Sequence, residues 1–190
     1  MIVTEGNSDT FIIKKSLNIL KPDISDFFAF IDMQDNYPFS GTGNLHKFCQ
    51  GLVSIKIQNK ILIIFDNDTE GNDKYNKVQA LNLPDNMRIM TLPYMEDFKE
   101  FLTIGPNGES KEDINTKAVA IECFLDLSKL QGKIPIVRWT NYSKDAKAYQ
   151  GSLEFKDDYV RNYKSIKNEK DDYDFSKIKF LLNAICNNCH

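Results

Sequence analysis

Two pairs of acidic residues follow apolar runs in this chain of 190 residues. Glu5 and Asp9 come after the first run, and Asp66 and Asp68 come after the second. Carboxylate oxygens suit Mg²⁺ and Mn²⁺, and enzymes that move phosphoryl groups need several of them around one ion. The types and spacing of these residues therefore predict a divalent metal site in which all four acids are ligands and catalytic groups.

The elements that position the acids are predicted to be strands of one parallel sheet. Residues 61–65 are five consecutive apolar residues, a pattern typical of a strand buried on both faces. In open α/β sheets, ligands bind at the carboxyl ends of the strands, so both acid pairs are expected at one edge. Taken singly, Asp9 and Asp68 are also ordinary helix N-caps.

Strand and helix alternate along the first half of the chain, which predicts a parallel sheet with right-handed crossovers. The predicted strands are residues 1–4, 26–32, 60–65, 87–92 and 134–139. The predicted helices are residues 10–20, 44–57, 72–80, 113–130, 143–150, 156–167 and 175–186. Residues 94–108 are predicted to be irregular, with a turn at 105–108.

The two motifs together resemble the TOPRIM domain of topoisomerases, bacterial primases and OLD-type nucleases. The resemblance rests on Glu5-Gly6-x-x-Asp9 after the first strand and on Asp66-x-Asp68 after a later one. Over a longer stretch, from Val3 to Gly151, the chain is similar to the TOPRIM part of bacterial HEPN/TOPRIM proteins.

This resemblance implies an α/β fold: a TOPRIM (Rossmann-like) parallel sheet with flanking helices and a small basic appendage. It places a catalytic domain at residues 1–128, and the appendage with a final helix at 129–190. The implied activity is that of a Mg²⁺-dependent (or Mn²⁺-dependent) nuclease. The implied partners are nucleic acid and an upstream HEPN domain, in a phage-defence setting.

Two further acids are secondary candidates for metal binding. Glu122 lies in an apolar stretch, where a carboxylate is costly unless it is paired or bound to a metal. The resemblance implies that Asp113 and Glu122 complete a second metal position. A partly exposed glutamate at the flank of a helix remains the alternative for Glu122.

The charge is unevenly distributed. The net charge is −3, but residues 129–170 hold ten Lys and Arg against five Asp and Glu. Lys144, Lys147 and Lys156 alternate there with aromatic residues, a pattern typical of a surface that binds a nucleic-acid strand. A solvated face of mixed charge is the alternative interpretation.

Three observations bear on compartment and cofactors. The chain has no apolar span long enough for a membrane helix and no basic, then apolar, leader at its N-terminus, which predicts a soluble cytoplasmic protein. Its four cysteines are therefore expected to be free thiols. The sequence Cys186-Asn187-Asn188-Cys189-His190 matches a haem-attachment pattern, but attachment occurs outside the cytoplasm, so no haem is expected.

Two functional classes remain after these observations. The first is the metal-dependent nuclease, and the second is a non-catalytic TOPRIM module that binds nucleic acid or a partner protein. A haloacid-dehalogenase phosphatase also places Asp-x-Asp after a buried strand. It is disfavoured because Glu70 stands where that family has threonine.

Overall fold

The chain forms a mixed α/β structure in a computed structural model that describes residues 1–31, 42–144 and 146–189, without the side chains of 42–44. The strands are β1 Ile2–Thr4, β2 Ile61–Phe65, β3 Asn67–Asp68, β4 Met87–Thr91, β5 Phe101–Gly105, β6 Gly108–Glu112, β7 Ala118–Val119, β8 Val137–Ser143 and β9 Ala148–Leu153. The α-helices are α1 Asn7–Leu20, α2 Pro22–Ser25, α3 Thr42–Ser54, α4 Thr69–Gln79, α5 Lys156–Ser165 and α6 Ser176–Asn188. Short 3₁₀ helices span Glu96–Phe98, Ile121–Phe124 and Leu127–Lys129.

The main sheet is parallel and has the order β1-β2-β4. All five residues of the central strand β2 are buried, as its continuous apolar sequence predicts. Val3 is in register with Ile63, and Ile64 with Met90. The predicted parallel sheet is therefore confirmed, and its carboxyl edge is where β1 and β2 end.

Helices cover both faces of this sheet. Alternate residues of a strand point to opposite faces, so Leu62 and Ile64 pack with α1 and α6, whereas Ile61 and Ile63 pack with α3 and α4. Burying side chains of this kind contributes roughly 1.5–3 kcal/mol each, relative to exposure. The two clusters fix β2 between two helical layers and thereby fix the position of the residues that follow it.

A second sheet has the order β6-β5-β8-β9. Two antiparallel hairpins, β5-β6 and β8-β9, join through a parallel pairing of β5 with β8. The predicted domain boundary at residue 128 falls between these two paired strands. A division of the chain there stays a prediction.

The predicted strand at residues 26–32 is wrong over most of the part that the structure describes. Pro22 occupies the first turn of α2, a position that suits proline, and a turn follows this helix. Phe27 is 82% exposed, so the apolar run does not mark a buried strand. Only Phe30 bridges to Ile2 in parallel, and residue 32 lies outside the described residues.

The predicted helix at residues 113–130 is also wrong. This segment contains β7 and two 3₁₀ helices. Residues 118–125 are all buried, and a run that is apolar all round has no period that separates a helix from other buried structure. The extended backbone of Ala120, with ψ of 168°, interrupts any continuous helix.

The predicted helix at residues 143–150 is instead the turn and second strand of the β8-β9 hairpin. Tyr142 and Tyr149 pair across the hairpin, with ring centroids 5.1 Å apart. A side chain at Gly151 would meet the Cβ of Ala118 at 2.6 Å, so glycine allows β9 to lie against β7. Lys147 has a positive φ of 51° in the turn, which local helix propensity does not indicate.

Most other predicted elements agree with the structure, but the strand predicted at residues 134–139 is observed at Val137–Ser143. Helices α1, α3, α4, α5 and α6 occur within a few residues of their predicted positions. The turn predicted at 105–108 joins β5 to β6, where Gly108 has φ of +97°. Residues 94–108 are not wholly irregular, however, because β5 lies within them. None of the described helices is long and apolar enough to cross a membrane.

Candidate metal centre

Glu5 and Asp66 lie together at the carboxyl edge of the main sheet. Each residue directly follows a strand, and those two strands are adjacent and parallel. The backbone N–H of Asp66 donates a hydrogen bond to Oε1 of Glu5 over 3.2 Å. The chain therefore brings together two acidic motifs that are about 60 residues apart in the sequence.

Asp9 lies in the first turn of α1, directly above the end of β1. The N–H of Gly6 donates to Oδ2 of Asp9 over 2.9 Å, so the carboxylate also stabilises the start of the helix. Burial, and next the nearby charge of Glu122, raise the pKa of Asp9 to about 7. Asp9 therefore both caps α1 and interacts with a second buried acid, Glu122.

Asp68 has partners for both of its carboxylate oxygens. As the N-cap of α4 it accepts from the N–H of Gly71 over 2.7 Å. Its other oxygen accepts from Nε2 of Gln150 over 2.5 Å. Gln150 comes from β9, so the β8-β9 hairpin reaches Asp68. Sequence reasoning missed Gln150 as a site residue because it predicted a helix there.

The carboxylates interact strongly with one another. Burial, followed by the charges of Asp9, Glu5, Asp68 and Glu122, raises the pKa of Asp66 well above its usual range. Carboxylates whose negative charges interact in this way favour either a proton or a cation among them. We define the acidic cluster as the group Glu5, Asp9, Asp66, Asp68 and Glu122.

Gly71 holds helix α4 against the backbone of Asp66. A Cβ at this position would lie 2.2 Å from the carbonyl oxygen of Asp66, far inside van der Waals contact. Because that neighbour is backbone, it cannot move aside as a flexible side chain does. Gly71 is thus a further site residue, after Gln150, that the acidic motifs do not reveal. It stands only five residues after Asp66 in the sequence.

Glu122 is buried and has a cationic partner. It is 6% exposed, and its Oε2 lies 3.9 Å from Nζ of Lys156, at the start of α5. Burial lowers the pKa of Lys156, but the charges of Glu122 and then Asp66 outweigh it and raise that pKa overall. The buried carboxylate of Glu122 therefore has a cationic partner, Lys156, and that lysine also lies near the charge of Asp66.

The other candidate residues lie elsewhere. Lys144 and Lys147 are exposed in the β8-β9 turn. Oδ1 of Asp113 accepts from the backbone N–H and from Nδ2 of Asn115, over 2.9 and 2.8 Å. Asn115 in turn bonds the backbone of Met95. In the described residues, Asp113 therefore supports this loop. Glu122, the other secondary acid, interacts with Asp9 and Asp66 instead.

The acidic cluster supplies the oxygen donors that a hard cation requires. Within the described part of the chain, no three Asp, Glu, His or Cys side chains converge tightly enough to enclose an ion. Mg²⁺ usually keeps several waters and takes only one or two carboxylates directly, so it does not require such a cage. The donors of the acidic cluster are all carboxylate oxygens, the ligand type that suits Mg²⁺ or Mn²⁺.

The four cysteines are free. Cys49 and Cys123 are buried, and burial raises the pKa of each thiol to about 12. Cys186 and Cys189 are partly buried at the end of α6, and residue 190 of the haem-like pattern lies outside the described residues. The two deeply buried thiols are therefore poor nucleophiles.

Comparisons with protein-family models, with curated proteins and with solved structures find no match to this chain.

The ion pair of Lys156 with Glu122 gives a testable prediction. Replacing Lys156 with methionine should lower the free energy of unfolding by about 2 kcal/mol, because it leaves a buried carboxylate without its cation. The double variant Lys156→Met, Glu122→Gln should recover most of that loss. Urea denaturation of the four proteins of this cycle measures the coupling. A Lys156→Met protein as stable as the parent would show that the pair is not a structural contact.

Proposed function

We propose that this protein is a Mg²⁺- or Mn²⁺-dependent nuclease of the TOPRIM type, which hydrolyses phosphodiester bonds of nucleic acid. The observation that carries the proposal is the meeting of both acidic motifs at the carboxyl edge of one parallel sheet, marked by the bond from Asp66 N–H to Glu5. A cluster of carboxylates with coupled charges supports a site that takes a cation.

The residues have distinct roles in this proposal. Of Asp66, Asp68 and either Glu5 or Asp9, one or two would bind the ion directly and the others through its waters, and the remaining acid would position or deprotonate the attacking water. The bound cation supplies polarisation of the phosphate and a water of lowered pKa. Lys156, which faces the cluster through Glu122, would bind a phosphate oxygen and offset the charge that develops there.

A second function is favoured by a specific observation. Both oxygens of Asp68 already accept hydrogen bonds from Gly71 and Gln150, and Asp9 caps α1. Acids with structural roles of this kind suit a non-catalytic module that binds nucleic acid or a partner. The two functions differ in one respect that can be measured, which is turnover.

The test is cleavage by highly purified protein. Labelled single- and double-stranded DNA and RNA are incubated with the protein and Mg²⁺, Mn²⁺ or EDTA. We expect cleavage of at least one substrate with either metal and none in EDTA. Binding of nucleic acid without cleavage under any of these conditions would favour the non-catalytic module instead.

The wider setting is part of the proposal. The resemblance to HEPN/TOPRIM proteins, which carries the expectation of an upstream HEPN domain and of a role in phage defence, stays a prediction. The cleavage assay does not depend on it.

A further inference from the structure

A groove with positively charged and aromatic walls leads away from the acidic cluster. It is a cavity of about 730 Å³ between α1, residues 28–30 and α5. Glu122, a member of the acidic cluster, and its partner Lys156 are among the lining residues, so the groove borders the cluster. Asn7 and Ser8, which directly precede Asp9 in the chain, also line the groove.

The charges of the groove suit a polyanion. Lys14, Lys156 and Lys164 line it, against Glu122 and Asp157. Glu122 is already partnered by Lys156. Lys14 and Lys164 are both exposed, and so their ammonium groups are accessible to a ligand.

The track continues into a second cavity of about 340 Å³. This cavity shares Phe11 and Lys14 with the first and adds two further lysines, Lys15 and Lys167. The linings of the two cavities together contain five lysines, of which Lys15 donates to the carbonyl oxygen of Lys164 and Lys156 pairs with Glu122. Successive cations of this kind follow the phosphates of a strand.

Aromatic rings stand among these lysines. Phe11, Phe28 and Phe30 are only partly buried and line the groove. Two cations lie over the Phe11 ring, with Nζ of Lys164 at 5.4 Å and Nζ of Lys15 at 5.8 Å from its centroid. A ring with an accessible face stacks on an unpaired base, whereas bases in a duplex stack on each other.

One residue of the groove lining, Asn7, has a buried polar atom without a partner among the described residues. Oδ1 of Asn7 is buried and accepts no hydrogen bond from any described residue. Leaving a buried acceptor unpaired is unfavourable, so such atoms usually have a partner. A side-chain rotation of Asn7 would be needed to bring this oxygen to a donor in the groove.

From these observations we propose that the groove between α1 and α5 binds single-stranded nucleic acid, with phosphates on Lys14 and Lys164 and a base on Phe11. This inference rests on the proposed nuclease function, because it specifies that the substrate of that nuclease is an unpaired strand bound beside the acidic cluster. It places the principal nucleic-acid surface in the groove, and binding of nucleic acid by Lys144 and Lys147 of the β8-β9 turn stays a prediction.

The test separates binding from cleavage. All proteins carry Asp66→Asn and are kept in EDTA, and fluorescence anisotropy measures their affinity for labelled oligothymidylate, oligouridylate and a DNA duplex. The unaltered groove should bind the single strands at least about tenfold more tightly than the duplex. Lys14→Gln with Lys164→Gln should weaken single-strand binding at least about tenfold and reduce the salt slope of log K by about 1.4, as expected for two lost phosphate contacts.

Phe11→Leu retains apolar bulk but removes the ring, and should weaken single-strand binding at least about fivefold. The control pair Lys47→Gln with Lys111→Gln removes the same charge from exposed positions on α3 and β6 and should leave binding unchanged. Circular dichroism and melting confirm that each variant is folded.

Several results would overturn the proposal: equal affinity for duplex and single strand, equal loss in the control pair, or a loss confined to Lys144→Gln with Lys147→Gln. Failure of the nuclease function is distinguishable, because it would appear as absent cleavage by the parent protein while groove-dependent binding persists.

Discussion

Replacing Asp66 with asparagine is expected to lower the rate of metal-dependent cleavage by at least about a thousandfold, while the fold persists. Asp66 is the acid whose charge interacts with all the others of the cluster, so it is central to holding a cation. Asparagine is nearly the same size but has no negative charge. Cleavage rates of parent and variant protein with Mg²⁺ and Mn²⁺ measure the effect.

The same variant should be more stable than the parent in EDTA at neutral pH. The pKa of Asp66 in the folded chain lies well above its ordinary value of 3.8, so the folded chain binds this proton more tightly than the unfolded chain does. Stability from this group is therefore present at low pH and falls as pH rises above about 4. The advantage of Asp66→Asn, at least about 1 kcal/mol near pH 8, should shrink towards pH 4.

Asp73→Asn is the matched control on α4. Hydrogen bonds from Lys77 and Lys74 lower the pKa of Asp73, which is the opposite shift. This variant should keep full cleavage activity and gain no stability at neutral pH. If Asp66→Asn and Asp73→Asn changed stability alike, the electrostatic account of the cluster would be wrong.

Replacing Gly71 with alanine is expected to have the second largest effect. The added methyl group would lie 2.2 Å from the Asp66 carbonyl oxygen, so either α4 or the end of β2 must shift. Overpacking of this kind costs about 1–3 kcal/mol of stability. A displacement of about 1 Å at Asp66 costs about a hundredfold in cleavage rate. Urea denaturation and the cleavage assay measure the two effects separately.

Gly51→Ala provides the comparison for this substitution. Gly51 also lies within a helix, α3, but a Cβ there meets nothing within 4 Å. Alanine should therefore stabilise the chain by about 0.5–1 kcal/mol, through helix propensity alone, and leave cleavage unchanged. A Gly71→Ala protein that behaved like Gly51→Ala would show that α4 is not held against Asp66.

The sequence predicted the part of the fold in which local pattern and burial agree. The amphipathic helices α1, α5 and α6 have a helical period, and the continuous apolar run of β2 has the length of a buried strand. The meeting of Glu5 with Asp66 followed from one further rule, that parallel strands bring their carboxyl ends to the same edge.

The rest depends on tertiary contacts that leave no local pattern. Residues 118–125 are buried on every side, so their sequence does not separate a helix from the observed β7 and 3₁₀ helix. Gln150 reaches Asp68 only because Gly151 lets β9 lie against Ala118. The pairing of Lys156 with Glu122 joins two segments that sequence spacing does not connect.

The most direct test of the metal centre is a crystal structure of the protein grown with MnCl₂, with anomalous diffraction used to locate manganese. We predict an anomalous peak at the carboxyl edge of the main sheet, bound by Asp66 and by at least one of Glu5, Asp9 and Asp68, and absent from crystals of Asp66→Asn. Manganese bound only elsewhere on the chain, in protein that still shows metal-dependent cleavage, would contradict the account.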